Sequence, residues 1–317
     1  MTKEPVGGAR MLFDALRDGE NAVVRALRAG ASAEACDDDG TTALYLASVD
    51  NWPAAVRLLL VAGADPDRAS GPEAGDLPLC GAACGGHTEV VEALLAAGAR
   101  PDLREQFGFT ALRWAVGLGH AETAEALLAG GADPDLPGPE GDPPLVLAAR
   151  RGSVRTVRAL LRHGARDRAP ALEEARRMLT VDVEQELRRS LYAMYGDGGH
   201  ETVVHRAVVD GGITVGVELL RDGEPFAGQD QQTGHGAIAT VLEAELGLRT
   251  PFEELADRAL RGRDPELDDW RESVRVLWLR GDEETFQAAT AWRTSGDPLR
   301  RTLGKEVLAA LRDRNAG

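Results

Sequence analysis

The sequence predicts a mainly α-helical protein: a helical repeat solenoid, then a small β-hairpin and helix, then a helical C-terminal module. Glycines follow apolar helical stripes at successive spacings of 33, 35, 33 and 33 residues, at Gly30, Gly63, Gly98, Gly131 and Gly164. Glycine readily takes the left-handed conformation that ends a helix. Aromatic residues make up only 4% of the chain, which suits closely packed helices. A fixed period of this length is typical of a solenoid.

Composition and charge narrow the class of partner. The chain has 317 residues and 43% hydrophobic content, enough for more than one domain. Its formal net charge of −16 would repel phosphate backbones and anionic lipid, so we expect neither a nucleic-acid nor a membrane partner. The apolar runs are too short for a signal peptide or a membrane span, and three cysteines are too few for a disulfide framework. We expect a cytoplasmic protein.

A second recurring unit precedes each glycine stripe, as TTALYLAS, LPLCGAAC, FTALRWAV and PPLVLAAR, and a short turn such as GHTEVV or GHAETA follows it. Helix, turn, helix and extended loop, repeated in this order, resemble the ankyrin repeat over roughly residues 10–168. The positions that match the family pattern are Gly40, Thr42, Leu44, Ala47, Gly108, Thr110, Leu112, Ala115, Gly119, His120, Gly141, Pro144, Leu145, Leu147, Ala148 and Ala149.

The resemblance implies an ankyrin repeat domain over residues 1–168, with four repeats at 37–168. Residues 10–36 lack the extended loop of the other repeats, which we call the finger loop. They are predicted to be an N-terminal capping repeat, because an end repeat has only one neighbour to cover its apolar face. We expect capping helices or a linker at 169–196, a β-hairpin plus helix at 197–250, and a helical module at 251–317.

The second half carries its own local signals. Asp222 and Gly223 in RDGE favour a tight turn between paired strands. Thr233 is predicted to cap the helix that begins in TGHGAIATVLEAELG. The last module resembles HEAT-type repeats, because Asp297 and Pro298 precede an arginine and an apolar stripe. Four aromatic residues are expected in its core: Trp270, Trp278, Phe286 and Trp292.

Two repeats depart from the family pattern at the start of their first helix. Leu77 and Pro143 replace the usual threonine, so each helix loses a capping hydroxyl worth ~1 kcal/mol. Pro78 and Pro144 partly offset the loss, since proline suits the first helical turn. These two helices are therefore expected to begin at a proline.

The stretch LPLCGAACGGH brings two cysteines and a histidine close together. Cys80 and Cys84 lie four residues apart on one helical face, and His87 occupies the turn position of the repeat. A structural metal site needs four ligands, and this stretch offers three at most. Cys84 lies near a helix C-terminus, where the helix dipole opposes a thiolate. We therefore expect no metal and no cofactor here, with Cys80 as a packing residue and His87 as a turn former.

The resemblance also implies a concave binding groove formed by the finger loops and the first helices of each repeat. We predict that a partner meets acidic early fingers, anchors on Phe107 or Phe109, and finds positive charge at Arg150 and Arg151. The alternative is that the acidic residues only keep a solvated face soluble and one phenylalanine packs on the next finger. Trp114 is expected in the core. The predicted surface comprises Asp38, Asp39, Thr41, Val49, Asp50, Glu73, Ala74, Asp76, Cys84, Gly85, Gln106, Phe107, Phe109, Gly117, Leu118, Pro139, Glu140, Asp142, Arg150 and Arg151.

The resulting hypothesis is a non-catalytic scaffold that binds a protein or peptide, with a basic segment, in the ankyrin groove. The oligomeric state stays open and a monomer is assumed. One alternative is a peptide-modifying enzyme or enzyme accessory that uses Cys84 and His235 as acid and base, for example in epimerisation. Another is a regulatory or immunity protein whose second half carries the effect. His200 and His205 are five residues apart, which would place them on opposite faces of a strand, so we expect no shared metal.

Overall fold

The computed structural model describes residues 6–73, 75–196 and 199–316, which form two compact units. The N-terminal unit runs to Pro144 and also includes Ala159–Ala165. The C-terminal unit consists of Leu145–Arg158 and the residues from Arg166 onward. The domain boundaries predicted at residues 168, 196 and 250 stay predictions.

The repeats fold as pairs of short helices. Within the N-terminal unit, the first helix of each pair packs on the first helix of the next pair, and the second helices do the same. Alanine and leucine fill the contacts, as the low aromatic content predicts. The helices up to the end of the repeats are α1 Val6–Asp18, α2 Glu20–Arg28, α3 Ala43–Val49, α4 Pro53–Val61, α5 Pro78–Cys84, α6 Thr88–Ala96, α7 Ala111–Leu118, α8 Ala121–Ala129, α9 Pro144–Arg151 and α10 Val154–Arg162.

Helix starts follow the sequence signals. The Thr42 hydroxyl accepts the backbone N–H of Tyr45 at 3.1 Å, and the Thr110 hydroxyl accepts that of Arg113 at 3.2 Å. Leu77 makes no side-chain cap, and α5 begins at Pro78 instead. The expected loss and its partial replacement by proline are both confirmed at this helix.

Neighbouring repeats are joined through their loops and turns. The finger loops are linked by backbone bonds, from the N–H of Gly71 to the carbonyl of Gly40 at 3.1 Å and from the N–H of Gln106 to that of Gly75 at 3.0 Å. Nε2 of His120 lies 3.1 Å from the carbonyl oxygen of Cys84 in the preceding repeat. Because a carbonyl only accepts, this nitrogen carries the proton. The turn histidine therefore ties one helical hairpin to the next.

The C-terminal unit continues with two helices, a sheet and five more helices. Its strands form an antiparallel sheet in the order β1-β2-β3, one strand more than the predicted hairpin. The predicted turn at Asp222 and Gly223 joins β2 to β3, and both residues have positive φ, as a type I′ turn requires. The elements are α11 Arg168–Met178, α12 Val183–Tyr195, β1 Glu201–Val209, β2 Gly212–Arg221, β3 Glu224–Gln232, α13 His235–Glu245, α14 Phe252–Arg261, α15 Asp268–Arg280, α16 Glu283–Trp292 and α17 Pro298–Ala316.

Two apolar clusters stabilise this unit. One packs Leu187 and Leu191 of α12 against Val217 and other residues of β2. The other cluster is formed by side chains of the four helices α14, α15, α16 and α17, and it includes Trp270 and Trp292. The expectation that Phe286 is a core residue is wrong, since this side chain is 52% exposed. Residues 285, 289 and 292 form the buried face of α16, and position 286 is one residue out of phase with it.

The start of α13 is capped from a distant helix. Gly234 is the N-cap, and the Thr233 hydroxyl donates to the carbonyl of Ile213 at 2.8 Å, so the prediction that Thr233 caps this helix is wrong. Oδ1 of Asp269, on α15, accepts the N–H of Ala237 at 2.5 Å in its place. The N-terminus of α13 is therefore capped by a side chain from a distant helix and not by the neighbouring threonine.

A buried ion network links α13 to α14. Both oxygens of Glu243, a side chain only 1% exposed, accept hydrogen bonds from the guanidinium of Arg258, at 2.6 and 2.8 Å. Thr250 donates to the same carboxylate at 2.6 Å, and Arg176 donates at 2.7 Å. Burial by itself would raise the pKa of Glu243, but these donors together lower it to about 2. The carboxylate is therefore ionised and fully hydrogen-bonded.

Candidate functional site

A cavity of about 150 Å³ lies in the N-terminal unit, on the side where the resemblance predicts the groove. Two finger loops and the first helices α3, α5 and α7 contribute to it. We call it the groove cavity. It combines three aromatic rings, two carboxyl groups and two thiols, from Tyr45, Asp76, Leu77, Cys80, Gly81, Cys84, Glu105, Phe107 and Trp114.

The aromatic rings have distinct roles. Phe107 is 64% exposed and presents its ring to solvent at the cavity. Phe109 packs edge-on against Trp114, with ring centroids 5.2 Å apart, and the guanidinium of Arg113 lies 5.0 Å from the Phe109 centroid. Trp114 is half-buried and lines the cavity, so the expectation of a core position is wrong. Phe109 therefore supports Trp114, and Phe107 is the open ring.

Glycine at position 81 makes room for the Tyr45 ring. A Cβ added at Gly81 would lie 2.8 Å from Cγ2 of Val49 and 3.1 Å from Cε2 of Tyr45. Both distances are shorter than van der Waals contact, so any larger residue would displace these side chains. The open space beside Tyr45 depends on this glycine.

The cavity is electrostatically negative. The buried carboxylate of Glu105 accepts the backbone N–H groups of Phe107 and Phe109, both at 3.0 Å, and so fixes the finger loop. Oδ1 of Asp76 accepts from the side chain of Gln106 at 3.0 Å. Within the described ranges, no arginine, lysine or histidine nitrogen lies within 4 Å of the Asp76 or Glu105 carboxylate. Burial and then the charge of Asp76 raise the pKa of Tyr45.

The two thiols are not activated. Burial raises the pKa of Cys80 to about 12, and its Sγ lies 3.9 Å from the carbonyl oxygen of Phe109. Burial also raises the pKa of Cys84, although that residue is exposed. Neither is a thiolate at neutral pH, which disfavours Cys84 as a proton acceptor. In the part of the chain that the structure describes, no cluster of His, Cys, Asp and Glu is arranged to hold a metal ion.

The remaining predicted groove residues differ in exposure. Asp38, Asp39, Asp50 and Glu73 are exposed acids of the finger loops and first helices. Ala74 lies outside the described residues. Val49, Cys84, Gly85, Gln106, Leu118, Pro139 and Glu140 are also exposed, and Thr41, Asp76, Phe109, Gly117 and Asp142 are half-buried.

The two arginines predicted at the positive end of the groove, Arg150 and Arg151, form ion pairs within the C-terminal unit. Nε of Arg150 lies 2.6 Å from Oε1 of Glu174, and a guanidinium nitrogen of Arg151 lies 2.6 Å from Oδ2 of Asp230. Hydrogen bonds from Arg177 and Arg150 hold the pKa of Glu174 at about 2. Both charges are committed to carboxylates of their own unit.

His235 and Cys84, paired in the enzyme alternative, belong to different units. The His235 side chain is buried at the start of α13. Burial lowers the pKa of His235 to about 4, so it is neutral at physiological pH. His200 packs edge-on against Phe226, with centroids 4.9 Å apart, and His205 is exposed on β1.

Sequence reasoning missed most of the groove cavity. Tyr45 and Cys80 occupy the same repeat position, three residues after the capping position, and Trp114 lies one residue further along its helix. The available signal was a large aromatic residue at a position where the other repeats carry a smaller one. Glu105 could not have been found, because its role depends on the fold of the finger loop.

Stacked two-helix repeats with linked finger loops define a helical repeat protein of the solenoid class. The family model described as "Ankyrin repeats (3 copies)" matches residues 12–105, 79–171 and 112–226. These matches together extend over more than half of the chain, and the chain belongs to the ankyrin-repeat family. Such repeats are in general protein-interaction scaffolds. A search of the curated proteins found no match.

The third match runs beyond the repeats through the first two strands of the sheet and into the start of the third. No match covers α13 to α17, so the resemblance of that region to HEAT repeats stays a prediction. Among the described residues, no helix has the length and apolar character needed to cross a membrane.

Proposed function

We propose that this protein is a scaffold that binds a protein segment or peptide along its ankyrin repeats, and that the partner inserts one arginine or lysine side chain into the groove cavity. The observation that carries the proposal is a cavity with three aromatic rings and two carboxylates, in which no described residue supplies a cation. The scaffold role follows from the family, and the basic side chain follows from the cavity.

The chemistry of the cavity suits a long basic side chain. A guanidinium or ammonium group over the face of Trp or Tyr gains about 0.5–2 kcal/mol from the ring quadrupole. The methylene stem of arginine or lysine packs well on apolar surface while its charged end stays polar. Trp114, Tyr45 and Phe107 supply the rings, and Asp76 supplies a carboxylate for the charged end.

The size of the cavity points to one side chain and not to a free ligand. Pockets for drug-sized molecules have volumes of about 300–1,000 Å³. The groove cavity, at about 150 Å³, is smaller than these. An extended segment that leaves one side chain in the cavity and lies across the exposed fingers would use both features.

The surroundings of the cavity favour a basic segment. Asp38, Asp39, Asp50 and Glu73 are exposed on the same series of fingers and first helices. Their charges would attract and orient a basic chain before contact, and this effect weakens as salt is added. Exposed Phe107 offers the apolar anchor that hot spots of protein interfaces commonly contain.

The test is a selection of binders from a random peptide library on the immobilised full-length protein, followed by calorimetry of the best peptides. We expect an arginine or lysine in every strong binder. Asp76→Asn should weaken binding by about tenfold, or about 1.4 kcal/mol, because asparagine keeps an acceptor for Gln106 but has no charge.

The matched control is Glu92→Gln, an exposed residue on α6 that does not line the groove cavity. This change should leave binding unaltered. Binders without a basic residue, or equal affinity for the wild type and the Asp76→Asn variant, would contradict the proposed role of the cavity.

A further inference from the structure

The C-terminal unit contains a second cavity, of about 310 Å³, beside the first turn of α13. We call it the C-terminal cavity. The α11–α12 connection, β1, β2 and the α14–α15 connection complete its walls. Its volume is at the lower end of the range for small-molecule sites. It belongs to neither the repeats nor the groove.

A buried carboxylate lines this cavity without a cation. Asp269 is 9% exposed, and its one side-chain hydrogen bond within the described ranges is the cap on Ala237. No basic nitrogen of a described residue lies within 4 Å of its oxygens. Burial raises the pKa of Asp269 to about 6, which still leaves it ionised at neutral pH. Gly236 allows this approach, because a Cβ there would lie 2.9 Å from Oδ1.

His235 places a second acceptor on the cavity wall. Its Nε2 lies 3.2 Å from the carbonyl oxygen of Arg150, so Nε2 carries the proton of the neutral ring. Nδ1 is then a lone-pair acceptor. It has no hydrogen-bond partner among the described residues, although the side chain is only 2% exposed.

Arg261 provides a cation that is also unpaired. Its guanidinium donates to the backbone carbonyl of Leu179 at 2.6 Å, and no carboxylate of a described residue lies within 4 Å of it. It is near enough to lower the pKa of both His235 and Asp269. The cavity thus holds a carboxylate and a guanidinium that do not contact each other.

The other charged groups in the lining are either paired with an opposite charge or exposed to solvent. Arg206 lies 2.6 Å from the carboxylate of Glu184. Asp182 is exposed to solvent and accepts the N–H of Gln185 at 3.1 Å as the cap of α12. Within the described ranges, Asp269 and His235 are therefore the buried members of the lining that keep an acceptor without a partner, and Arg261 is an exposed guanidinium without a carboxylate. Six apolar residues also line the cavity, namely Met178, Val181, Val183, Ile213, Val215 and Leu267.

We propose that the C-terminal cavity binds a free α-amino acid with an apolar side chain. The ammonium group of the ligand donates to Asp269 and to Nδ1 of His235. Its carboxylate pairs with Arg261, and its side chain packs on the six apolar residues. One zwitterion pairs with the buried carboxylate of Asp269 and with the exposed guanidinium of Arg261, and it removes the cost of burying Asp269 without a charged partner.

The test is isothermal titration calorimetry of the full-length protein with L-leucine as the probe. Two analogues have the same branched side chain but one charged group each: 4-methylpentanoate lacks the ammonium, and isoamylamine lacks the carboxylate. We expect leucine to bind and each analogue to bind more weakly by about tenfold or more.

Asp269→Asn keeps an oxygen for the cap on Ala237 and removes the charge, so leucine affinity should fall by about tenfold or more. Asp257→Asn, an exposed residue on α14 that does not line the cavity, is the matched control and should bind leucine as the wild type does. The proposal is overturned if leucine does not bind, if either analogue binds as tightly as leucine, or if Asp269→Asn has no effect.

Discussion

The two units of this protein bury different kinds of polar group. In the N-terminal unit the buried polar side chains are mostly neutral hydroxyls, such as Thr42, Ser70 and Thr110, which serve as caps and loop ties. In the C-terminal unit they include ionisable residues, among them Glu243 and Arg258. A hydroxyl cap acts on its own helix or on the next repeat, whereas an ion network joins helices that are distant in sequence. Stability in the first unit is therefore local, and in the second it depends on single tertiary networks.

The largest expected effect comes from breaking the buried network of the C-terminal unit. Glu243→Gln removes the charge that pairs with Arg258 and Arg176 and leaves a buried guanidinium short of a partner. We expect a loss of about 3–5 kcal/mol in the free energy of unfolding, measured by urea denaturation. Glu253→Gln, exposed on α14, should change it by less than about 0.5 kcal/mol. If Glu243→Gln lowered the free energy of unfolding only slightly, the C-terminal unit would not depend on this buried ion network.

The pH dependence of stability should separate Asp269 from His235. The pKa of Asp269 is raised from 3.8 to about 6, so its contribution to stability is complete below pH 3.8 and is lost as the pH rises through 6. The pKa of His235 is lowered from 6.5 to about 4, so its contribution is complete above pH 6.5 and is lost as the pH falls through 4. The two effects oppose each other between these limits.

Variants should therefore show opposite slopes. Between pH 6 and 4.5, Asp269→Asn should lose about 2 kcal/mol of unfolding free energy on acidification, relative to the wild type, because only the histidine then titrates. His235→Gln should gain about 2 kcal/mol over the same interval, relative to the wild type. Parallel slopes in urea titrations of the two variants would show that these groups are not buried as described.

A smaller effect is expected from the glycines that end the second helices of the repeats. Gly98 has φ +94°, with open space where a Cβ would be, so Gly98→Ala adds backbone strain and no clash. We expect a loss of about 1–2 kcal/mol in thermal or urea unfolding. Gly8→Ala, within helix α1, should instead gain about 0.5–1 kcal/mol. If Gly98→Ala and Gly8→Ala changed stability equally, the recurring glycines of the repeats would not be explained by their backbone conformation.

The smallest expected effect is local to one cap. Thr110→Ala removes the hydroxyl that accepts the N–H of Arg113 and should cost about 1 kcal/mol in urea unfolding. Thr110→Ser keeps the hydroxyl and should restore most of the loss. If serine and alanine were equally destabilising, the methyl group and not the cap would be responsible.

The repeats were predictable because their determinants are local. The glycine period, the threonine caps at 42 and 110 and the proline start at 78 each act within a few residues, so their pattern in the sequence predicts the fold. The turn histidines were also assigned correctly, since their partners are set by the repeat itself.

The second unit was less predictable because its polar contacts span long sequence distances. Asp269 caps a helix that begins more than 30 residues earlier, and the sequence suggested neighbouring Thr233. Arg151 lies in an arginine pair that appeared available to a partner, yet it pairs with Asp230, 79 residues away. Such contacts depend on tertiary packing, which local propensity and spacing do not encode.

The most direct test of the proposed function compares the binding affinities of two peptides that differ only in the charged group of one side chain. A peptide selected for binding is compared with its arginine→citrulline counterpart by calorimetry, since citrulline keeps the shape of arginine but carries no charge. We predict that the citrulline peptide binds at least about tenfold more weakly to the wild type, and that the difference shrinks in Asp76→Asn. Equal affinity of the two peptides for the wild type would contradict the claim that the groove cavity binds a cation.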